Sequence, residues 1–169
     1  MGKRGVEDRR LEEALRHLHP PSRFKPWHGG PTLLGALRDV SPEVAAWKPY
    51  PDRHSIWELA LHAAYWNYAV ERRLTGAPRG GFPRRPANWP RPGAGDPADA
   101  WAGDQALVLL FHDRLVEALQ GFDPARLQER APGGRSTTFA DLVTGVLLHD
   151  TYHAGQIQML KRLARSAGL

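Results

Sequence analysis

The chain has 169 residues, a formal net charge of +5 and no cysteine. That length suits one domain with its own core and no need of cross-links. The missing thiols exclude a disulfide framework, a Cys-ligated zinc site, an iron–sulfur cluster and a cysteine nucleophile. Arg supplies 19 of the 23 basic residues, and so mild an excess permits an anionic partner without specifying one. No apolar run approaches the roughly 18 residues of a membrane span. The first ten residues, MGKRGVEDRR, lack the hydrophobic stretch of a secretory signal. A cytoplasmic protein with no membrane partner is expected.

Proline maps the elements. None of the 15 prolines falls within 52–77, 98–123 or 133–169, and proline is excluded from helix interiors because it lacks the N–H and clashes with the preceding turn. Leu occurs 21 times against 8 Val and 2 Ile, which disfavours sheet. In chain order, a short charged helix is predicted over 6–18, with Leu11, Ala14, Leu15 and Leu18 on one side. A Pro/Gly-rich passage follows to residue 30. A helix is then expected over 32–40, and a further turn or two from Ser41-Pro42, with Ser as cap and Pro at the first helical position, to Trp47. A long helix spans 54–75 and is closed by Gly76 and Pro78. The next runs from Asp96-Pro97 to Gln120, closed by Gly121. The last begins at Thr138, where Thr138-x-x-Asp141 resembles a capping box. It ends near Arg165, where basic side chains complement the helix dipole. No strand and no internal repeat is apparent, and the pattern predicts an all-α four-helix bundle.

The connection over 76–95 is far longer than an antiparallel hairpin needs. It reads as a long crossover that lets the helices on either side run parallel. It carries Arg79, Arg84, Arg85 and Arg91 and no acid. Two readings stand: a solvated crossover, or a basic lid near a site for an anionic ligand, with Arg84 and Arg85 as candidate cofactor-binding residues.

Eight histidines are present. His17, His19 and His28 lie in polar or Pro-rich surroundings and are expected at the surface, and His112, beside Phe111, is expected to be partly buried. His149 and His153 stand four apart, so on a helix both project from one face and can reach one ion. Their stripe continues through Leu142, Gly145, Val146, Gln156 and Leu160. Imidazoles on such a core-facing stripe need partners: either other side chains or a metal. His62, on a stripe with Leu59, Trp66 and Ala69, supplies a third imidazole, and three imidazoles with an open position are the ligand set of a catalytic-type zinc centre. Imidazole also suits nickel, copper and iron. His54 at the helix start reads as a cap or surface residue. Glu58 is either a solvated carboxylate or an acceptor for an imidazole N–H. Asp150 is a candidate base or supporting group, and Tyr152 a candidate donor to a bound ligand. Gly145 and Gly155, each costing about 1 kcal/mol in a helix relative to Ala, suggest close approach of a helix or a ligand near the His pair.

The segments GGPTLLGALRDVSPEVAAWKP, HSIWELALHAAYWNYAVERRLTG and TTFADLVTGVLLHDTYHAGQIQMLKR resemble the DinB/YfiT-like superfamily of metal-dependent enzymes. The His pair followed by A-G-Q-I, together with a His before an aromatic pair, carries the likeness most specifically. The resemblance implies a four-helix bundle of up-down-down-up order over 27–169, with 1–26 as an N-terminal extension bearing a short helix. It also implies metal ligation by His62, His149 and His153, with nickel or zinc as the divalent ion, and a homodimer. It further implies transfer of a low-molecular-weight thiol to an electrophile; hydrolysis of a small substrate is the close variant, since a metal can generate hydroxide near neutral pH. A chain without cysteine fits a thiol brought from outside. The alternatives are a noncatalytic metal- or ligand-binding bundle and, less favoured, nucleic-acid binding through Arg79 to Arg91. That loop lacks a docking motif and offers Phe82 and Trp89 as its stacking side chains. Tryptophans on helix faces are a further candidate dimer surface.

Overall fold

Side-chain caps decide where the helices begin. The computed structural model describes residues 3–26, 28–78, 80–133 and 136–169. Among them are α1 (Lys3–Leu18), α2 (Leu33–Ala36), α3 (Pro42–Ala46), α4 (Ile56–Thr75), α5 (Pro97–Gln120), a 3-10 turn (Pro124–Arg126) and α6 (Phe139–Ser166). Ser41 and Asp96 each accept a backbone N–H of the first turn and are followed by Pro at the first helical position. Ser55 and Thr138 form full capping boxes with Glu58 and Asp141. Gly76 closes α4 in the left-handed region at φ 70°, a conformation that costs a Cβ-bearing residue about 1–2 kcal/mol.

Two expectations need correction here. The helix expected over 32–40 is only the four residues of α2, because Asp39 takes a left-handed φ of 58° that no helix continues through. The long helix starts at Ile56 rather than at residue 54, because Ser55, and not His54, is its cap.

The fold is all-α, with several long helices packed together. No strand occurs among the described residues; Arg130 and Thr138 form an isolated antiparallel bridge. Two clusters fill the interior. One joins Ile56, Trp57 and Leu61 of α4 to Trp101, Val108 and Phe111 of α5 and Ile157 of α6. The other joins Leu11, Ala14 and Leu18 of α1 to Leu74, Leu115, Leu119 and Phe139. Fully burying such a side chain is worth about 1.5–3 kcal/mol, so α1 contributes to the core as well as preceding it. No helix among the described residues is long and apolar enough to cross a membrane.

The pairing of α4 with α5 sets the site. Trp57, at the start of α4, donates its indole N–H to Asp104 near the start of α5. Near the other end, Arg114 of α5 pairs with Glu71 of α4 at 3.0 Å. Both helices therefore begin at the same end, and the chain between them returns along the bundle. That return is anchored. Phe82 and Pro90 are buried, and Asp104, wholly buried, accepts from Arg84 Nε and Gly93 N at 2.8 Å each. Arg79 lies outside the described residues.

Trp57 and Trp101 are buried and Trp47, Trp66 and Trp89 half-buried, while Trp27 lies outside the described residues. No tryptophan among the described residues is fully exposed, and Trp47, Trp66 and Trp89 are each turned to solvent in part. The exposed apolar side chains of α6 are Leu148, Tyr152, Met159 and Leu163.

Candidate metal centre

The second turn of α4 and the middle of α6 bring three imidazoles together. His149 Nε2 lies 3.0 Å from His62 Nε2 and 3.1 Å from His153 Nε2. One ligand atom from each of the three lies within 4.8 Å of the others. The i, i+4 spacing of His149 and His153 places both on one face of α6, and the packing of α4 on α6 supplies His62.

The other ring nitrogens fix the tautomers. His62 Nδ1 lies against the backbone carbonyl of Asn88, and a carbonyl only accepts, so Nδ1 carries the proton. His153 Nδ1 faces Gln156 Oε1 at 2.7 Å and is assigned the proton in the same way. His149 Nδ1 has Asp150 Oδ1 at 3.8 Å. With His62 and His153 protonated on Nδ1, their Nε2 lone pairs both point at His149 Nε2, where a single proton can satisfy only one of them. Neutral imidazoles so arranged repel, and a cation resolves the conflict. Tetrahedral ligation at about 2.0–2.1 Å sets ligand nitrogens about 3.3 Å apart, within a few tenths of an ångström of the two distances from His149 Nε2. The residues fit a divalent metal ion, and the cluster is able to chelate one.

Burial holds His62 and His153 neutral. Desolvation is the main reason that His62 and His153 are each lowered to about 4 from 6.5. A donor that is neutral at pH 7 need not lose a proton to bind metal. The sign of the pH dependence follows for metal-free protein. Between pH 6.5 and about 4 the unfolded chain holds more protons than the folded one, so this contribution is complete above pH 6.5 and is lost as pH falls towards 4. Urea midpoints of metal-free protein are expected to fall between pH 7 and pH 5, and His153→Leu is expected to flatten that fall. A slope that this variant leaves unchanged would exclude His153 as its source.

The crossover completes the centre. Trp89 stacks on His62 at 3.8 Å between ring centroids and on His54 at 3.7 Å, with interplanar angles of 8° and 3°. Asn88, at a left-handed φ of 71°, presents its carbonyl to His62 and accepts the Trp66 indole N–H on Oδ1 at 2.9 Å. Groups that orient a ligand imidazole typically change metal affinity by about 10–100-fold when removed. Trp89→Ala is therefore expected to weaken zinc or nickel binding about tenfold, read by competition with a chromophoric chelator; an unchanged affinity would assign Trp89 to packing alone.

The remaining expected site residues divide. Asp150 is buried, accepts from Asn67 Nδ2 at 3.2 Å, and has its carboxyl pKa raised by burial. Its Oδ1 lies 3.8 Å from His149 Nδ1 without a hydrogen-bond partner, and it does not face solvent. Tyr152 is 63% exposed, 5.2 Å from His153 between ring centroids. Glu58 is taken by its capping box, by Lys48 at 2.8 Å and by His54 at 3.4 Å, so it accepts from no ligand histidine. A Cβ at Gly145 or Gly155 would meet nothing within 4 Å, so no helix crowds either glycine. Gly145 instead lines an apolar cleft of about 240 Å³ with Trp66, Val70, Leu142, Val146 and His149. His19 and His28 are at the surface as expected, His17 is half-buried, and His112 is wholly buried rather than partly, with neither ring nitrogen bonded among the described residues. Arg84 is committed to Asp104, whereas Arg85 is exposed and lines the cavity behind Trp66.

Sequence reasoning read Trp89 only as a stacking side chain for nucleic acid, and it missed Asn88 and Asp104. Only the last left a readable trace, as an acid on the apolar stripe of Trp101, Val108, Phe111 and Leu115.

Comparison with known proteins adds one finding. The model of the DinB superfamily matches residues 30–157, more than half of the chain and inclusive of all three histidines. No curated protein and no solved structure matches.

Proposed function

The chain belongs to the DinB superfamily, and from that premise we propose that it is a metal-dependent enzyme that transfers a low-molecular-weight thiol to an electrophile. The observation that carries the reading is the convergence of His62 Nε2 and His153 Nε2 on His149 Nε2, at 3.0 and 3.1 Å, beside an open cleft. A divalent ion, nickel or zinc, supplies Lewis acidity and lowers the pKa of a thiol or of water.

The chain's own residues do the rest. His62, His149 and His153 ligate through Nε2, with Asn88, Gln156 and Asp150 holding the rings from behind. The apolar cleft against His149 takes the body of the electrophile and keeps water from it. Tyr152, exposed beside His153, donates to the group that leaves. The thiol sulfur bonds to the electrophilic carbon, the leaving group departs with its electron pair, and the thiol proton passes to solvent. Arg85 faces the anionic end of the thiol, while Arg84 stays paired with Asp104. Hydrolysis of a small substrate is the close variant at the same centre.

The same reading takes the domain as 27–169 after an N-terminal extension, in up-down-down-up order, which the common starting end of α4 and α5 supports. It takes the protein as a cytoplasmic homodimer, where small thiols stay reduced, with exposed Leu148 and Met159 supporting an interface on α6.

The test uses zinc- or nickel-loaded protein, a panel of small thiols and 1-chloro-2,4-dinitrobenzene, with conjugate formation followed by absorbance. Metal-dependent turnover that His149→Ala abolishes is expected. Full loading without turnover of thiol conjugates or of small esters would instead identify a noncatalytic metal-binding bundle.

A further inference from the structure

Behind Trp66, away from the three histidines, lies a second cavity of about 350 Å³, at the small end of the range for ligand sites. Its walls combine two chemistries. Tyr65, Trp66, Tyr68 and Phe82 make them aromatic, and Arg72, Arg73, Arg84 and Arg85 make them cationic. No acid lines the cavity. Arg84 is neutralised by Asp104 at 2.8 Å, but Arg72, Arg73 and Arg85 make no ion pair among the described residues.

The position of Arg72 and Arg73 in the last turn of α4 gives them one ordinary role, that of complementing the helix dipole. That role accounts for neither Arg85, which comes from a separate segment, nor Tyr68. The Tyr68 hydroxyl is buried and has no hydrogen-bond partner among the described residues. A buried hydroxyl without a partner costs free energy, and gathered guanidinium groups repel. One guest relieves both: an oxyanion that takes guanidinium N–H donors in forked geometry and accepts from the phenol.

We propose that this cavity binds a small molecule carrying a carboxylate or phosphate group on a flat, apolar body, with Arg72, Arg73 and Arg85 on the anion and the aromatic walls against the body. The cavity shares Trp66 with the apolar cleft beside His149, and Trp66 bonds Asn88, whose carbonyl holds His62. The ligand therefore lies one side chain away from the candidate metal centre. The inference names a ligand class for the proposed function, but its binding step needs no metal and stands without the thiol chemistry.

The experiment titrates the full chain, with and without zinc, with phenyl phosphate, with phthalate and with single-stranded DNA at fixed low salt, by calorimetry. Saturable binding of one or both small anions is expected in both metal states. Each guanidinium makes charge-assisted bonds, so Arg73→Gln and Arg85→Gln should each weaken binding about tenfold. Tyr68→Phe should weaken it by a smaller factor. Arg162→Gln removes the same charge from an exposed position on α6 and should leave affinity unchanged. An equal loss in Arg162→Gln would reduce the effect to net charge and overturn the proposal, as would no saturable binding of either anion. DNA that binds in preference and displaces them would overturn it in favour of a nucleic-acid surface. Because the readout is binding to metal-free protein, failure here leaves the metal reading intact, and failure of the conjugation assay leaves this one intact.

Discussion

Substituting His149 by Ala is expected to abolish stoichiometric metal binding. Its Nε2 stands between the other two, 3.0 Å from one and 3.1 Å from the other, so its loss leaves His62 and His153 without the atom that joins them. His153→Ala removes one of two ligands from α6 and should act in the same direction. The stability consequence is large. An ion bound only by folded protein adds about 4 kcal/mol at a thousandfold excess over its Kd, which raises Tm by roughly 8–16 °C in a domain of this size. Wild-type protein should show that rise on adding zinc or nickel, and His149→Ala should not. Metal content after purification without a histidine tag, together with Tm with and without added ion, checks both statements. Full occupancy in His149→Ala and His153→Ala would overturn the ligand assignment.

Asp104→Ala is the second large effect. The carboxylate is wholly buried and accepts three hydrogen bonds, from Trp57, Arg84 and Gly93, all at 2.8 Å. Its removal strands an indole N–H and a backbone N–H and unpairs Arg84, which by analogy with broken buried pairs costs about 3–5 kcal/mol. Asp104→Asn keeps the shape but not the charge and should cost less. The loss also reaches the metal, because the segment that Asp104 anchors carries Asn88 and Trp89 to His62. Urea unfolding measures the first consequence and chelator competition the second. A destabilisation under about 1 kcal/mol would show that Arg84 and Gly93 are satisfied elsewhere.

What the sequence made readable was local. Asp96-Pro97, Thr138-x-x-Asp141 and Gly76 mark helix ends through bonds made within a few residues. The two histidines on α6 are joined by helical periodicity alone. Ser55-x-x-Glu58 carried an equally readable capping signal, and recognising it would have removed both His54 as a cap and Glu58 as an imidazole acceptor. The short α2 was less legible, since the left-handed turn at Asp39 lies inside an apolar pattern that suits a longer helix. The crossover was legible only as a long connection. Its prolines and glycines show that it is not a helix, yet the stacking of Trp89 on two imidazoles and the carbonyl of Asn88 against His62 are contacts between residues far apart in the chain, in a segment without period. The stripe of Leu59, Trp66 and Ala69 pointed to His62 as the third imidazole and the resemblance agreed, but only the packing of α4 on α6 brings it to the other two.

The same crossover has a consequence for motion. Its described stretch contains no helix or strand, and backbone N–H groups of such segments ordinarily exchange with solvent quickly. Here the amides of Trp89 and Arg91 are bonded to the carbonyls of Ala87 and Arg85, and that of Gly93 to Asp104. One side of the segment leans on His62 and the other on the start of α5, so ligand ring and loop must open together. Amide exchange at Gly93 should slow when zinc is added, although Gly93 touches none of the three histidines. If it does, the loop is the latch of the centre, and its opening sets the time for which an ion stays bound.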